Sequence, residues 1–167
     1  NDDVLEICND LIAGFPVGEF DLIPAYCTQL PVRVIARLLG VPEEPGDDLL
    51  RWSNAMVSMY QANRRRAIED AANTAASEFS AFLRAYIETR RDDPRDDLIT
   101  NLIAAEEDGV KLSTDELIGT CVLLLNAGHE ATVHSMGNAV KTLLEHDTPG
   151  SALNDDNIAD TAEELLR

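Results

Sequence analysis

The sequence predicts an all-α chain. Three observations carry this: apolar residues recur at helical spacing along nearly its whole length, strand-type alternation is almost absent, and a capping box opens one long run without a breaker. That run, from about 113 to 146, is the expected central helix. The 167 residues amount to one ordinary domain, so residues 1–167 are expected to form a single all-helical unit.

The elements follow in order. Val4, Leu5, Cys8, Leu11 and Ile12 mark the face of a first helix, which Gly14, Pro16 and Gly18 end. Pro31 clashes with a preceding helical turn, so a break is expected near Gln29 and Leu30. A short helix then turns Val34, Ile35, Leu38 and Leu39 inward, with Gly40 suited to a left-handed cap and Pro42 close behind. Residues 46–60 form another helix, with Asp47 or Asp48 near its start. Its Trp52, Met56, Met59 and Tyr60 are expected in the core. A longer helix over about 64–91 carries the stripe Ile68, Ala71, Ala72, Ala75, Phe79, Phe82, Leu83, Tyr86 and Ile87. Arg90 and Arg91 sit at the negative end of its dipole, and Arg64, Arg65 and Arg66 form a solvated cluster offset by Glu69 and Asp70.

A polar turn and a short helix ending at Gly109 come next. Ser113 and Glu116 then form the capping box of the central helix, which at 1.5 Å per residue extends for roughly 45–50 Å. "HDTPG" stops it. A last helix, "NIADTAEELLR", has no cap and reaches Arg167 in mid-pattern, which is expected of a piece cut from something larger.

Composition excludes several partners. Asp and Glu number 31 against 13 Lys and Arg, a formal net charge of -18. Such a surface repels nucleic-acid phosphates and anionic membranes. The longest uncharged apolar stretch, Leu117 to Gly128, is too short for a bilayer. "NDDVLE" is neither a signal nor a transit peptide. The three cysteines, Cys8, Cys27 and Cys121, form no CxxC pair and suit a reducing, cytoplasmic setting.

The central helix carries the unusual residues, in "NAGHEATVHSMGNA" (126–139). "HEATVH" looks like a zinc motif, but His129 and His134 are five apart. At 100° per residue they point roughly 140° apart, so no metal site is expected from them. Gly128 weakens a helix interior by about 1 kcal/mol against Ala. Glu130, following "CVLLLNAG", is expected to be buried and costly unless paired or protonated. Local costs clustered in this way mark functional sites.

"AGHEAT" (127–132) resembles the oxygen-binding signature of the cytochromes P-450, the haem-thiolate monooxygenases, and lies midway along the helix as theirs does. Glu164 and Arg167 in "EELLR" stand at the family's E-x-x-R spacing. "LPVRVIARLLGVPEE" (30–44) resembles a helix and turn of soluble bacterial members, and "DDLITNLI" and "LLEH" agree in order. The chain is thus expected to be the central helical portion of the cytochrome P-450 fold.

The resemblance implies the rest. Ala127, Gly128 and Ala131 would border the oxygen pocket, with Gly128 letting the helix backbone pass close to the haem and the helix widening there. Glu130 would relay protons toward that pocket as a buried acid of raised pKa, with Thr132 a second catalytic candidate. Glu164 and Arg167 would form a structural ion pair. The parent enzyme would activate dioxygen on haem iron and oxidise a small organic substrate. Its electrons would come from NAD(P)H through a ferredoxin reductase and ferredoxin, and the helices at about 46–60 and 64–91 would cover the substrate. The family's iron ligand is a Cys in a Gly-framed loop near the C-terminus. None of the three cysteines matches it, so the fragment alone is expected to be inactive and, with its haem side uncovered, open to self-association. The alternative is a catalytically silent helical interaction module.

One departure is specific. The family's usual Thr is Ala131 here, whose methyl group donates no hydrogen bond. Thr132 is turned about 100° away and is placed either to hold a water or to bond the carbonyl four residues earlier. In an active protein containing this chain, Ala131→Thr should therefore change the share of reducing equivalents lost as peroxide. An unchanged coupling ratio would show that protons reach the pocket independently of position 131.

Overall fold

A computed structural model describes residues 2–42, 46–107 and 110–167, with side chains treated outside 43–47 and 106–110. Among the described residues seven α-helices follow one another: α1 (Asp2–Ala13), α2 (Gln29–Leu39), α3 (Gly46–Val57), α4 (Arg66–Asp92), α5 (Leu98–Ala104), α6 (Thr114–Glu145) and α7 (Ile158–Leu165). Short helical turns of tighter or wider pitch occupy Ile23–Cys27, Ser58–Tyr60 and Gly150–Leu153. Two two-residue strands, β1 (Glu106–Glu107) and β2 (Val110–Lys111), pair antiparallel before α6.

One core joins α2, α3, α4, α5 and α6. Phe79, Leu83 and Ile87 of α4 meet Ile35 and Leu39 of α2, Leu49 and Trp52 of α3, Ile99 of α5, and Leu117, Cys121 and Leu125 of α6. The Trp52 ring stacks on Phe79 at 5.3 Å between centroids, and its indole N–H donates to Glu78 Oε2 at 2.8 Å. The aromatic body is buried while its polar tip finds a partner.

The capping box at Ser113 and Glu116 is formed in both directions, and α6 runs from it for 32 residues. Gly40 adopts φ 80° and caps α2. A second constraint also demands glycine there: a Cβ would lie 2.3 Å from Asp97 Oδ2.

Several expectations are corrected. α1 buries Ile7 and Leu11 but leaves Leu5 and Ile12 in solvent; among the described elements α2 and the 23–27 turn pack on it. α2 buries Val32, Ile35, Ala36 and Leu39, whereas Leu38 is exposed. Pro31 sits in its first turn, where a missing N–H costs nothing. Tyr60 is exposed, beyond the end of α3. The short helix stops at Ala104 rather than Gly109, and the chain turns into β1; Gly109 lies outside the described residues, as do Glu43 and Glu44 of the 30–44 motif and the Asp47 side chain. Arg64 reaches Glu69 and Arg66 reaches Asp70, as the charge pattern predicts.

Arg90 differs most from its expected role. Rather than sitting exposed at a helix end, it is buried and binds Asp97 Oδ2 through Nε at 2.8 Å. Its Nη2 donates to Gly40 O at 3.1 Å and to the Tyr86 hydroxyl, which in turn donates to Gly40 O. Asp97 also caps α5, accepting from Thr100 N at 2.7 Å. Burial pushes the Asp97 carboxyl up, but the Thr100 bonds and the Arg90 guanidinium outweigh it and hold the group below its ordinary value. A depressed folded pKa means the contribution is complete above the unfolded value and is lost as pH falls through the folded one. Asp97→Asn should cost about 3–5 kcal/mol at neutral pH, since it strands a buried guanidinium. Urea unfolding should also show that the variant lacks the part of the stability loss that the natural chain suffers below the ordinary Asp value of 3.8.

Candidate functional site

α6 has two unlike sides. Leu117, Cys121, Leu125, His129 and Val133 stand four residues apart and are all buried, facing α2, α3 and α4. On the other side Leu123, Ala127 and Ala131 form a parallel line that the described residues leave exposed, Leu123 at 66%. An uncovered line of one leucine and two alanines is low in relief. Beside it, Ala131, Thr132, Ser135, Met136 and Ala139 meet Ala162, Leu165 and Leu166 across a groove of about 350 Å³.

The predicted site residues fall mostly on this open side. Ala127, Glu130, Ala131 and Thr132 are exposed, and Gly128 is intermediate. Two expectations change. Glu130 is not buried: its side chain is 49% exposed, with Oε1 3.6 Å from His134 Nε2 one turn on. It lies at the edge of the uncovered face, half in solvent. α6 also does not widen at Gly128; it is regular from Thr114 to Glu145. The Thr132 hydroxyl donates to Gly128 O at 2.8 Å, the bond back to the carbonyl four residues earlier. Its one proton is spent on the helix.

Gly128 also faces α2. A Cβ there would come within 2.8 Å of Ile35 Cδ1, so the missing side chain permits the α2–α6 approach on the covered side. Glu164 and Arg167 pair at 2.9 Å, both largely exposed, where such a pair contributes little.

The polar residues on the covered side were not anticipated. His129 is buried with Nδ1 3.0 Å from Ser53 Oγ of α3. Burial lowers its pKa, and the neighbouring Glu130 carboxylate pulls it partly back. Its four-residue register with Leu125 and Val133 was readable from the sequence; its partner on a helix 76 residues away was not.

The residues present fit one face of a flat apolar group and offer no iron ligand. The Leu123–Ala127–Ala131 line is small, apolar and open. Cys27 and Cys121 are buried in protein, and Cys8 lies on α1. Burial pushes the Cys121 thiol up to about 11, the reverse of what a thiolate ligand needs. No group of three His, Cys, Asp or Glu among the described residues is placed to hold a metal ion.

No family model matches the chain. It is 40% identical to the vitamin D(3) 25-hydroxylase of Pseudonocardia autotrophica over 168 residues, which cover 98% of this chain and 40% of that protein. Among solved structures, the ligand-free cytochrome P450 TbtJ1 matches with a TM-score of 0.88 at 36% identity, over 98% of this chain and 44% of that one. The chain matches a stretch of cytochrome P450 in sequence and in fold. The P450 PksS of Bacillus subtilis 168 agrees, with a TM-score of 0.86, 33% identity, and coverage of 99% of this chain and 42% of that one. The steroid C26-monooxygenase of Mycobacterium tuberculosis H37Rv is 34% identical over 98% of this chain and 42% of that protein. The chain therefore spans about two-fifths of the length of the P450s it matches. No helix among the described residues is long and apolar enough to cross a membrane.

Gly128→Ala gains about 1 kcal/mol of helix propensity but pushes on Ile35 Cδ1, which Ile35→Val removes. In a double-mutant cycle read by urea unfolding, Gly128→Ala should be more favourable in the Ile35→Val background, with a coupling of about 0.5–3 kcal/mol. Strict additivity would show that the α2 contact does not select this glycine.

Proposed function

We propose that this chain forms the oxygen-side wall and substrate cover of a bacterial haem-thiolate monooxygenase. The observation that carries the reading is the low, apolar, uncovered line of Leu123, Ala127 and Ala131 on a helix whose opposite stripe is locked into the core. Haem, when bound, supplies the iron at which dioxygen is reduced and one oxygen atom is passed to an organic substrate. The electrons come from NAD(P)H through a ferredoxin reductase and ferredoxin, and the setting is the cytoplasm.

The chain's own residues have narrower tasks. Ala127 and Ala131 keep the wall of the oxygen pocket thin, because a larger side chain on this line would fill the space. Leu123 excludes water from the same face. Glu130 Oε1 and His134 Nε2, 3.6 Å apart at the pocket's edge, place a carboxylate beside an imidazole, an arrangement that can pass a proton through a modest rotamer change or one water. Thr132, whose proton is committed to Gly128 O, positions the helix turn and donates nothing to the pocket. α3 and α4 cover the substrate, a small organic molecule. Glu164 and Arg167 hold the end of α7 as an ion pair.

A specific observation also favours self-association of the isolated chain. Leu123, Leu144 and Leu166 are 66%, 74% and 71% exposed, and apolar side chains left open favour association where they meet in a patch.

Two measurements test this. Haem added to the isolated 167 residues should give no thiolate-type Soret band in the reduced carbon monoxide complex. Appearance of that band would place the iron ligand among Cys8, Cys27 and Cys121. In sedimentation, the weight-average mass of the chain should rise with concentration, and a strict monomer at high concentration would contradict self-association through the open face.

A further inference from the structure

The contact between α3 and α6 contains two buried polar atoms with no hydrogen-bond partner: Nε2 of His129 and Oδ1 of Asn126. Neither has a part in the chemistry proposed above, and both sit on the covered side of α6. Leaving such atoms unpaired forfeits their hydration with nothing gained in exchange. Their placement shows what would satisfy them.

His129 is 97% buried, being 3% exposed. Its Nδ1 lies 3.0 Å from Ser53 Oγ, and Ser53 is itself fully buried. A neutral imidazole carries one N–H. With the Ser53 hydroxyl donating to Nδ1, both of those groups are satisfied and the ring proton falls on Nε2. The opposite tautomer would leave the serine proton without an acceptor and add an orphan. Burial favours the neutral ring in any case.

Asn126 lies one turn before His129 on the same flank, where side chains three apart are neighbours with Cβ atoms about 5–6 Å apart. Its amide nitrogen points to Met56 Sδ of α3 at 3.9 Å. That fixes the nitrogen toward α3 and leaves the oxygen as an acceptor. An N–H donor and a C=O acceptor one helical turn apart, both shielded from bulk solvent, match the two ends of a water molecule.

We propose that His129 Nε2–H and Asn126 Oδ1 hold one buried water between α3 and α6. It completes a chain Ser53–His129–water–Asn126 that clasps the two helices. The water oxygen accepts from Nε2–H, and one of its hydrogens is donated to Oδ1. The clasp sets the register of α3 on α6, because each helix supplies a residue at both ends: Ser53 with His129, and Met56 with Asn126. It does not depend on the monooxygenase reading and stands if that reading fails.

Nuclear magnetic resonance on the full 167-residue chain tests it. Long-range nitrogen–proton correlations should show His129 protonated at Nε2 and bare at Nδ1. The Hε2 proton should give a water cross-peak of the sign of a long-lived bound molecule. Asn126→Leu, which keeps the side chain's bulk and removes the acceptor, should abolish that cross-peak while the tautomer persists. Protonation at Nδ1 would overturn the proposal. So would absence of the water cross-peak in the natural chain, as in a direct Nε2–H to Oδ1 bond, or its survival in Asn126→Leu. The tautomer and cross-peak of the natural chain decide the matter even where the variant fails to fold.

Discussion

The burial of one stripe of α6 fixes everything that can be said about its other side. Leu117, Cys121, Leu125, His129 and Val133 face inward together, and a helix so held cannot rotate without exposing leucines and a neutral imidazole. Residues two positions off that stripe are thereby turned outward. Leu123, Ala127 and Ala131 are placed on the open side by the packing of their neighbours, and the direction of the open face is a consequence of the core.

The core that holds α6 is anchored away from it. The buried Arg90–Asp97 pair joins the end of α4 to the start of α5, and the same guanidinium reaches the carbonyl of Gly40 at the end of α2. Three helix ends meet on one side chain. A buried ion pair of this kind is a weak source of net stability but a strong constraint on geometry, since any rearrangement leaves a charge without a partner. Gly40 is drawn in twice, by its left-handed backbone and by the Asp97 carboxylate lying where a Cβ would be. α2, so placed, presents Ile35 to Gly128, and the close approach of α2 and α6 follows.

Much of this was legible in the sequence, for identifiable reasons. The long helix, its capping box, the Gly40 cap and the α4 stripe are local patterns, and local patterns are written in spacing. The signature at 127–132 was legible because its residues conflict with a buried helix. What spacing could not give was which side of each helix finds a neighbour. Periodicity marked Leu5, Ile12 and Leu38 as inward, and each is exposed, because spacing marks an apolar face without saying how much of it a neighbour covers. Arg90 read as a dipole partner because Asp97, seven residues on across a turn, shows no periodic relation to it. Gly128 read as an opening toward a cofactor; its contact with Ile35 depends on a helix more than 90 residues earlier. Glu130 read as buried because the run from Cys121 to Leu125 before it is apolar, yet it lies at the edge of the open side.

The account rests on the outward line of α6 being the face that meets haem. Alkylation of Ala131→Cys, followed by residue-resolved mass spectrometry in a longer P450 protein containing this chain, tests that directly. With haem removed, the new thiol should react as an exposed group while Cys121 stays protected; with haem bound, its reaction should slow by an order of magnitude or more. Equal rates with and without haem would mean that the open side of α6 faces something else.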